Sequence, residues 1–326
     1  MGPPHRAALR GDGVLTTADG ATVRAPGRAS SPFEPLDYAL YATTIVAWSL
    51  SWYALAVQTA SSVSVEASLA YRFAIATALM FAWVALRGES VRFPLGRHLT
   101  FAAMGVLIFS TNFLLFYYAS AHLVSGLLSV MFSTASVLNV GIAFLLTREA
   151  PARATLLGAA LGIAGIALMF LPSLRQQGAG LDAGASLGLG LCIAGTLCFC
   201  TGNVLSAGLQ RERVPVIAAS AWGMLYGTLW ATFLGLVLGR PFNFEVGAAY
   251  LVSLVWLAVV STVIAFASYL TLVGRIGAGR AGYATVVFPV VALLVSTVLE
   301  GYEWTLPAAL GLALVLAGNV FVVRGR

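Results

Sequence analysis

The 326 residues are 60% hydrophobic and only 9% charged, with a formal net charge of +6. A soluble domain carries roughly 25% charged residues to cover its water-facing surface, so this chain needs a bilayer as its solvent. All eighteen basic residues are Arg; their excess reads as the bias of cytoplasmic loops, and no nucleic-acid partner is expected.

Residues 1–36 are rich in Gly, Pro, Ala and Arg and lack an apolar core of signal-peptide length. This predicts a disordered cytoplasmic tail followed by a retained first span. A helix needs about 20 residues to cross the hydrocarbon, so charges act as punctuation. The first apolar run lies between Asp37 and Glu66, and the second between Glu66 and Arg87, interrupted by Arg72. No full charge falls within 99–147, which is too long for one helix and predicts a hairpin turning near Ala119, Ser120 and His122. A fifth span lies between Arg153 and Arg175, before a Gly-rich loop at 178–184. Five more follow at 184–209, 214–239, 249–272, 281–299 and 304–323. Cys192, Cys198 and Cys200 share one span, lack paired metal spacing and read as small buried apolar residues.

Placing the N-terminus inside sends the tail arginines, Arg87, Arg92, Arg97, Arg148, Arg153, Arg211, Arg213, Arg275, Arg280, Arg324 and Arg326 to the cytoplasm. Only Arg175 and Arg240 remain outside, so the positive-inside rule predicts cytoplasmic termini. The heavy use of Arg, Ala, Leu and Gly points to a bacterial inner membrane. At an offset of 156 residues Leu114 meets Leu270, Gly126 meets Gly282 and Phe132 meets Phe288. Gly158 and Gly165 recur as Gly311 and Gly318. Five spans per half forces the second half upside down, a plan common among secondary transporters. The expected fold is an all-α integral membrane protein of ten transmembrane helices in two inverted five-helix repeats. Its expected parts are a tail at 1–36, a first repeat at 37–172, an external loop at 173–184 and a second repeat at 185–326.

Several short motifs occur in order: Tyr71-Arg72-Phe73, the aromatic run Asn112–Ala119, Ser125-Gly126-Leu127 and Arg148-Glu149 in the first half. Phe288-Pro289-Val290 and Leu299-Glu300-Gly301-Tyr302-Glu303-Trp304-Thr305 follow in the second. With these, residues 38–324 resemble the drug/metabolite transporter superfamily, in particular its EamA-like ten-helix branch. The resemblance implies two inverted EamA domains, no ATPase domain, and export or exchange of metabolites, amino acids or drugs. The chain reads Phe132-Ser133-Thr134 where that family often places Pro in its fourth helix.

Trp48, Ser51, Trp52, Asn112 and Ser133 fall near mid-span in the first half, and Thr196, Tyr226, Ser261, Tyr269 and Pro289 in the second. Aromatic walls with a few hydroxyls and amides suit a cavity for a small, partly apolar solute; singly, each residue also suits ordinary helix packing. Pro289 removes one backbone hydrogen bond and marks an expected kink. Arg72 is the only Arg within a span. It could contact an anionic solute group; an ion pair with Glu66 or Glu300, or snorkelling to the interface, is the preferred expectation. Asn139, Asn203 and Asn319 read as interhelical hydrogen-bonding groups. No Asp or Glu sits midway along a span, and no nucleophile–base pair or metal-spaced cluster occurs. The sequence therefore predicts no enzyme, no catalytic residue, no metal and no cofactor. The expected protein is a carrier acting as a monomer or homodimer on a small-molecule solute within the lipid bilayer. A membrane scaffold or sensor is the alternative, and an intramembrane enzyme a more distant one.

Overall fold

The computed structural model describes residues 33–148, 150–175, 183–276 and 278–324, with two short antiparallel strands, β1 (Val14–Thr16) and β2 (Thr22–Arg24). Most of the expected tail, and nearly all of the Gly-rich loop at 178–184, lie outside the described residues. Among those described, eight helices are long and apolar enough to cross a bilayer. They are α1 (Pro35–Thr59), α2 (Val65–Leu86), α3 (Leu95–Ala119), α4 (Ser125–Ser133, continued as Ala135–Thr147), α5 (Arg153–Arg175), α6 (Ala183–Arg211), α7 (Val216–Val237) and α8 (Ala248–Ile276). Two shorter apolar helices follow, α9 (Ala284–Leu299) and α10 (Leu306–Arg324). In hydrocarbon every backbone N–H and C=O must find a partner within the protein, and a helix satisfies them locally. The part from Pro35 to Arg324 is accordingly helical wherever it has regular structure among the described residues.

The helix ends use what an apolar chain can offer. Asp37 accepts the Glu34 N–H at 2.9 Å at the start of α1, and the Ser64 hydroxyl accepts the Ala67 N–H at 3.3 Å at the start of α2. Where α2, α7 and α9 stop, Gly88, Gly239 and Gly301 take a left-handed conformation with φ of 66°, 64° and 67°.

Three spans are irregular inside, a feature absent from the sequence expectations. α3 widens into a π-helix at Gly105–Thr111, and α8 does so at Trp256–Ile264. In α8 the Thr262 hydroxyl donates to the Leu257 carbonyl, five residues back, at 2.7 Å. α4 breaks at Thr134, where the Ser133 and Thr134 hydroxyls each donate to the carbonyl three residues back at 2.6 Å. Such back-bonding tightens a turn and bends a helix. By contrast α9 continues as helix through Pro289, the position of the expected kink. Pro289 lies only five residues after the first residue of that helix, so a single intrahelical bond is lost.

The most extensive contact joins α5 to α10. α2 packs on α7, α4 on α9, α1 on α8 and α9, and α6 on α3 and α4. α3 also packs on α7, as α8 does on α2. The α5–α10 pair is a glycine seam: a Cβ at Gly158 would lie 2.5 Å from the Gly318 carbonyl, and one at Gly165 would lie 2.5 Å from the Gly311 carbonyl. Lipid tails are as apolar as Leu, so close backbone approach, rather than the hydrophobic effect, holds such pairs together. These stripes, open in the sequence to use within or between subunits, are used within the subunit. Asn319, expected to bond between helices, is buried on α10 with Nδ2 unpartnered.

Charges collect at the two ends. At the end where α1 begins, Arg275 pairs with Asp37 at 2.5 Å and Glu34 at 2.7 Å, and Arg97 pairs with Glu212 at 2.5 Å. At the opposite end, the loop between α7 and α8 is stapled to the α1–α2 turn. Glu245 accepts from the Ser62 N–H at 3.0 Å and its hydroxyl at 2.8 Å, and Asn243 Nδ2 donates to the Ser62 carbonyl at 3.1 Å.

Two expectations follow from this packing. Gly165→Val should destabilise the protein by about 1–3 kcal/mol through overpacking, whereas Gly190→Ala, which meets open space, should cost nothing; thermal unfolding in detergent measures both. The Ser62 donors hold the Glu245 carboxyl below its ordinary value. A lowered carboxyl pKa stabilises the folded state above the ordinary value and loses that contribution as pH falls through the lowered one. Hydrogen-exchange protection of the Ser62 amide should therefore persist through pH 4.5, disappear at more acidic pH, and be weak at every pH in Glu245→Gln.

Candidate functional site

The largest group of aromatic rings in the interior draws on both halves of the chain. Trp52 on α1 meets Phe116 on α3 at 5.1 Å between ring centres and Phe132 on α4 at 5.5 Å. Phe132 is the hub, with Phe116 at 5.7 Å, Phe199 on α6 at 4.7 Å and Phe288 on α9 at 6.4 Å. Trp48, one turn before Trp52, meets Tyr269 on α8 at 5.2 Å and Phe288 at 6.4 Å. Trp52, Phe116 and Phe288 are buried, while Trp48, Phe132, Phe199 and Tyr269 are only half-buried.

The backbone flanking Trp48 is tied across to the second half. The Ala47 carbonyl accepts from Trp256 Nε1 at 3.3 Å, and the Ser49 hydroxyl shares its proton between the Ile45 carbonyl of its own helix at 2.6 Å and the Phe288 carbonyl at 3.0 Å. The sequence singled out Trp48, Trp52, Tyr269 and Pro289 here, and the structure brings the first three into one cluster, with Pro289 beside Phe288. It missed Phe116 and Phe199 altogether. A Phe in an apolar span has no polar atom to distinguish a cavity wall from a packing residue.

The polar candidates are more dispersed. Ser51 donates to the Trp48 carbonyl at 2.6 Å, Ser133 to Val130 at 2.6 Å and Thr196 to Cys192 at 2.7 Å. Their protons are thus spent on their own helices, leaving each an acceptor for anything nearby. Ser261 is buried within the π-helical part of α8. Asn112 follows the π-helical part of α3, donates to the Ile108 carbonyl at 3.3 Å and leaves its buried Oδ1 without a partner.

Tyr226 does not join the cluster. Its ring stacks on Trp222 and its hydroxyl meets His98 Nδ1 at 3.0 Å, in a separate group where α3 and α7 begin.

Arg72 departs from its preferred expectation. It is 3% exposed and neither snorkels nor pairs with Glu66 or Glu300. Glu66 accepts from the Tyr118 hydroxyl and lies 3.6 Å from Arg240. Glu300 accepts from the Ser125 N–H at 3.1 Å and the Ser125 hydroxyl at 2.5 Å, capping α4, and from the Ser296 hydroxyl. Both carboxylates are thereby committed to the end opposite the start of α1. At that same end a cleft of about 390 Å³ opens between α1, α2, α3 and α6, lined by Thr59, Tyr117, Tyr118, His122 and Leu187.

A family model described as the EamA-like transporter family matches residues 38–171 and again 186–324. The chain belongs to the EamA-like transporter family. It is similar to a Salmonella typhimurium (strain LT2) protein named "Probable amino-acid metabolite efflux pump", with 25% identity over 212 residues, covering 62% of this chain and 69% of that one. It also shares its fold with a protein solved by crystallography, at a TM-score of 0.62 and 22% identity, over 87% of this chain and 95% of that one. In this EamA-like protein each matched segment supplies rings to the Phe132 cluster: α1, α3 and α4 from one, α6, α8 and α9 from the other.

Phe132→Ala should remove ring contacts with four partners at once. A loss of about 1–3 kcal/mol is expected, below that of a fully enclosed Phe, with increased acrylamide quenching of tryptophan fluorescence. Tyr226→Phe should leave the quenching unchanged.

Proposed function

We propose that this EamA-like protein is a carrier of the bacterial inner membrane that exports or exchanges a small metabolite, amino acid or drug-like solute by alternating access. The proposed machine is a ten-helix body of two inverted five-helix repeats with both termini in the cytoplasm. The observation that carries the reading is the ring cluster around Phe132, built jointly by the two family segments, so that any rocking of one against the other reshapes it. The helix contacts support the inverted repeat. Adding or subtracting five from each helix number turns α1–α8 into α6–α3, α1–α9 into α6–α4 and α3–α7 into α8–α2, all of which occur, and leaves α2–α7, α4–α9 and α5–α10 unchanged.

The lopsided distribution of Arg supports the orientation. The metabolite class is supported by the efflux pump to which the chain is similar. The spans carry no Asp or Glu midway, so the proposal routes no proton through a buried carboxylate, and a gradient of the solute itself is a sufficient drive. The monomer is taken as the transporting unit, because its glycine seam is spent between α5 and α10.

Purified protein in liposomes, screened with a panel of labelled amino acids and related metabolites, should show saturable flux for at least one of them. Trp48→Ala and Asn112→Ala should each lower that flux about tenfold or change its selectivity, the scale of losing one well-placed contact. Folded protein with no flux for any compound would sink the carrier reading, and unaltered flux in both variants would sink the placement of the cavity.

A further inference from the structure

Among the described residues, Arg72 is the one buried cation without a carboxylate partner. Its guanidinium lies 4.3 Å from the centre of the Phe113 ring and 5.0 Å from that of Phe73. Nη2 reaches the Thr262 hydroxyl only at 3.5 Å, and Nε has no acceptor. The Tyr117 hydroxyl is its other polar neighbour. Ring faces attract a cation, but an unpaired guanidinium in an apolar interior is costly and calls for a counter-charge.

The hydrogen-bond inventory points the same way. Tyr117 gives its proton to Gln58 Oε1, and Thr262 gives its own to Leu257. Gln58 Nε2 is then buried without an acceptor, like Arg72 Nε. Two unsatisfied donors thus flank Tyr117, joined through its hydroxyl, and neither has an acceptor in the structure. What the site lacks is a compact anion with more than one acceptor oxygen. A carboxylate meets that description, and its two oxygens match the two parallel N–H groups of a guanidinium edge. Tyr117, itself fully buried, stands between this group and the 390 Å³ cleft among α1, α2, α3 and α6, whose wall it helps form.

We propose that Arg72, with Gln58, Tyr117 and Thr262, forms a binding site for the carboxylate group of the transported solute. This rests on the carrier reading and narrows its substrates to carboxylate-bearing molecules. The cation is buried beforehand at the protein's expense, so a solute without the acid group leaves it uncompensated. The apolar remainder of such a solute would lie against the nearby rings.

The test uses the full chain, purified in detergent, with benzoate as the carboxylate probe and benzamide as its uncharged counterpart. Thermal stabilisation is followed in a sodium sulfate background, with sodium chloride as a separate arm. Benzoate should stabilise the protein saturably, and benzamide should need at least about tenfold more for the same shift, the usual scale for a charge-assisted hydrogen bond. Arg72→Gln should abolish the difference between the two probes. Arg72→Lys, which keeps the charge but loses the planar pair of donors, should fall between. If Arg72→Gln does not purify folded, the lysine variant and the wild-type comparison decide.

Equal responses to benzoate and benzamide, a chloride response matching that of benzoate, no benzoate response, or an undiminished preference for benzoate in either variant would each overturn the proposal. Flux of uncharged solutes without a benzoate response would remove this site and leave the carrier reading intact. Benzoate binding without flux of any solute would do the reverse.

Discussion

Inside a bilayer no water is at hand to take up an unpaired polar group, and most of this structure answers that constraint. Each apolar run closes its own backbone bonds as a helix. The hydroxyls that fall within spans, such as Ser51, Ser133, Thr134, Thr196 and Thr262, turn back onto carbonyls of their own helix. That habit has mechanical consequences. It accompanies the break of α4 at Thr134 and one of the two π-helical widenings, so the irregular backbone lies within the interior, near the Phe132 cluster and Arg72.

The same solvent removes the usual reason for helices to associate. Their contacts rely on backbone approach, as at Gly158, Gly165, Gly311 and Gly318, and on polar ties near the ends, such as Arg275 with Asp37 and Glu300 with Ser125. Between these layers α1, α3, α4, α6, α8 and α9 meet mainly through rings, with a few ties such as Trp256 Nε1 to the Ala47 carbonyl. Ring contacts are weakly directional compared with hydrogen bonds.

Arg72 stands apart from both layers. Every other buried charge among the described residues has its counter-charge: Asp37 has Arg275 and Glu66 has Arg240. The two carboxylates nearest in expectation, Glu66 and Glu300, are held elsewhere by tyrosine and serine hydroxyls. The scarce acids are spent at the ends, and Arg72 lies buried among Phe73, Phe113 and Tyr117 with no carboxylate beside it.

Composition and the spacing of charges alone determined that this is a helical membrane protein and roughly where its spans lie. Those features are local: a span is legible because some twenty consecutive residues must suit hydrocarbon. The sequence also marked Trp48, Trp52 and Tyr269, since indole and phenol groups are conspicuous in an apolar run. Tertiary structure alone decided that Phe116, Phe132 and Phe199 join them, that Tyr226 does not, and that α4 is interrupted at Thr134, where no Pro stands, while α9 continues as helix through Pro289. It also decided that Arg72 has no acid beside it. A Phe looks the same in sequence whether it packs or lines a cavity, and a buried charge gives no sign of its partner. Both are settled by which helix lies opposite, at separations of tens to hundreds of residues that no local pattern records.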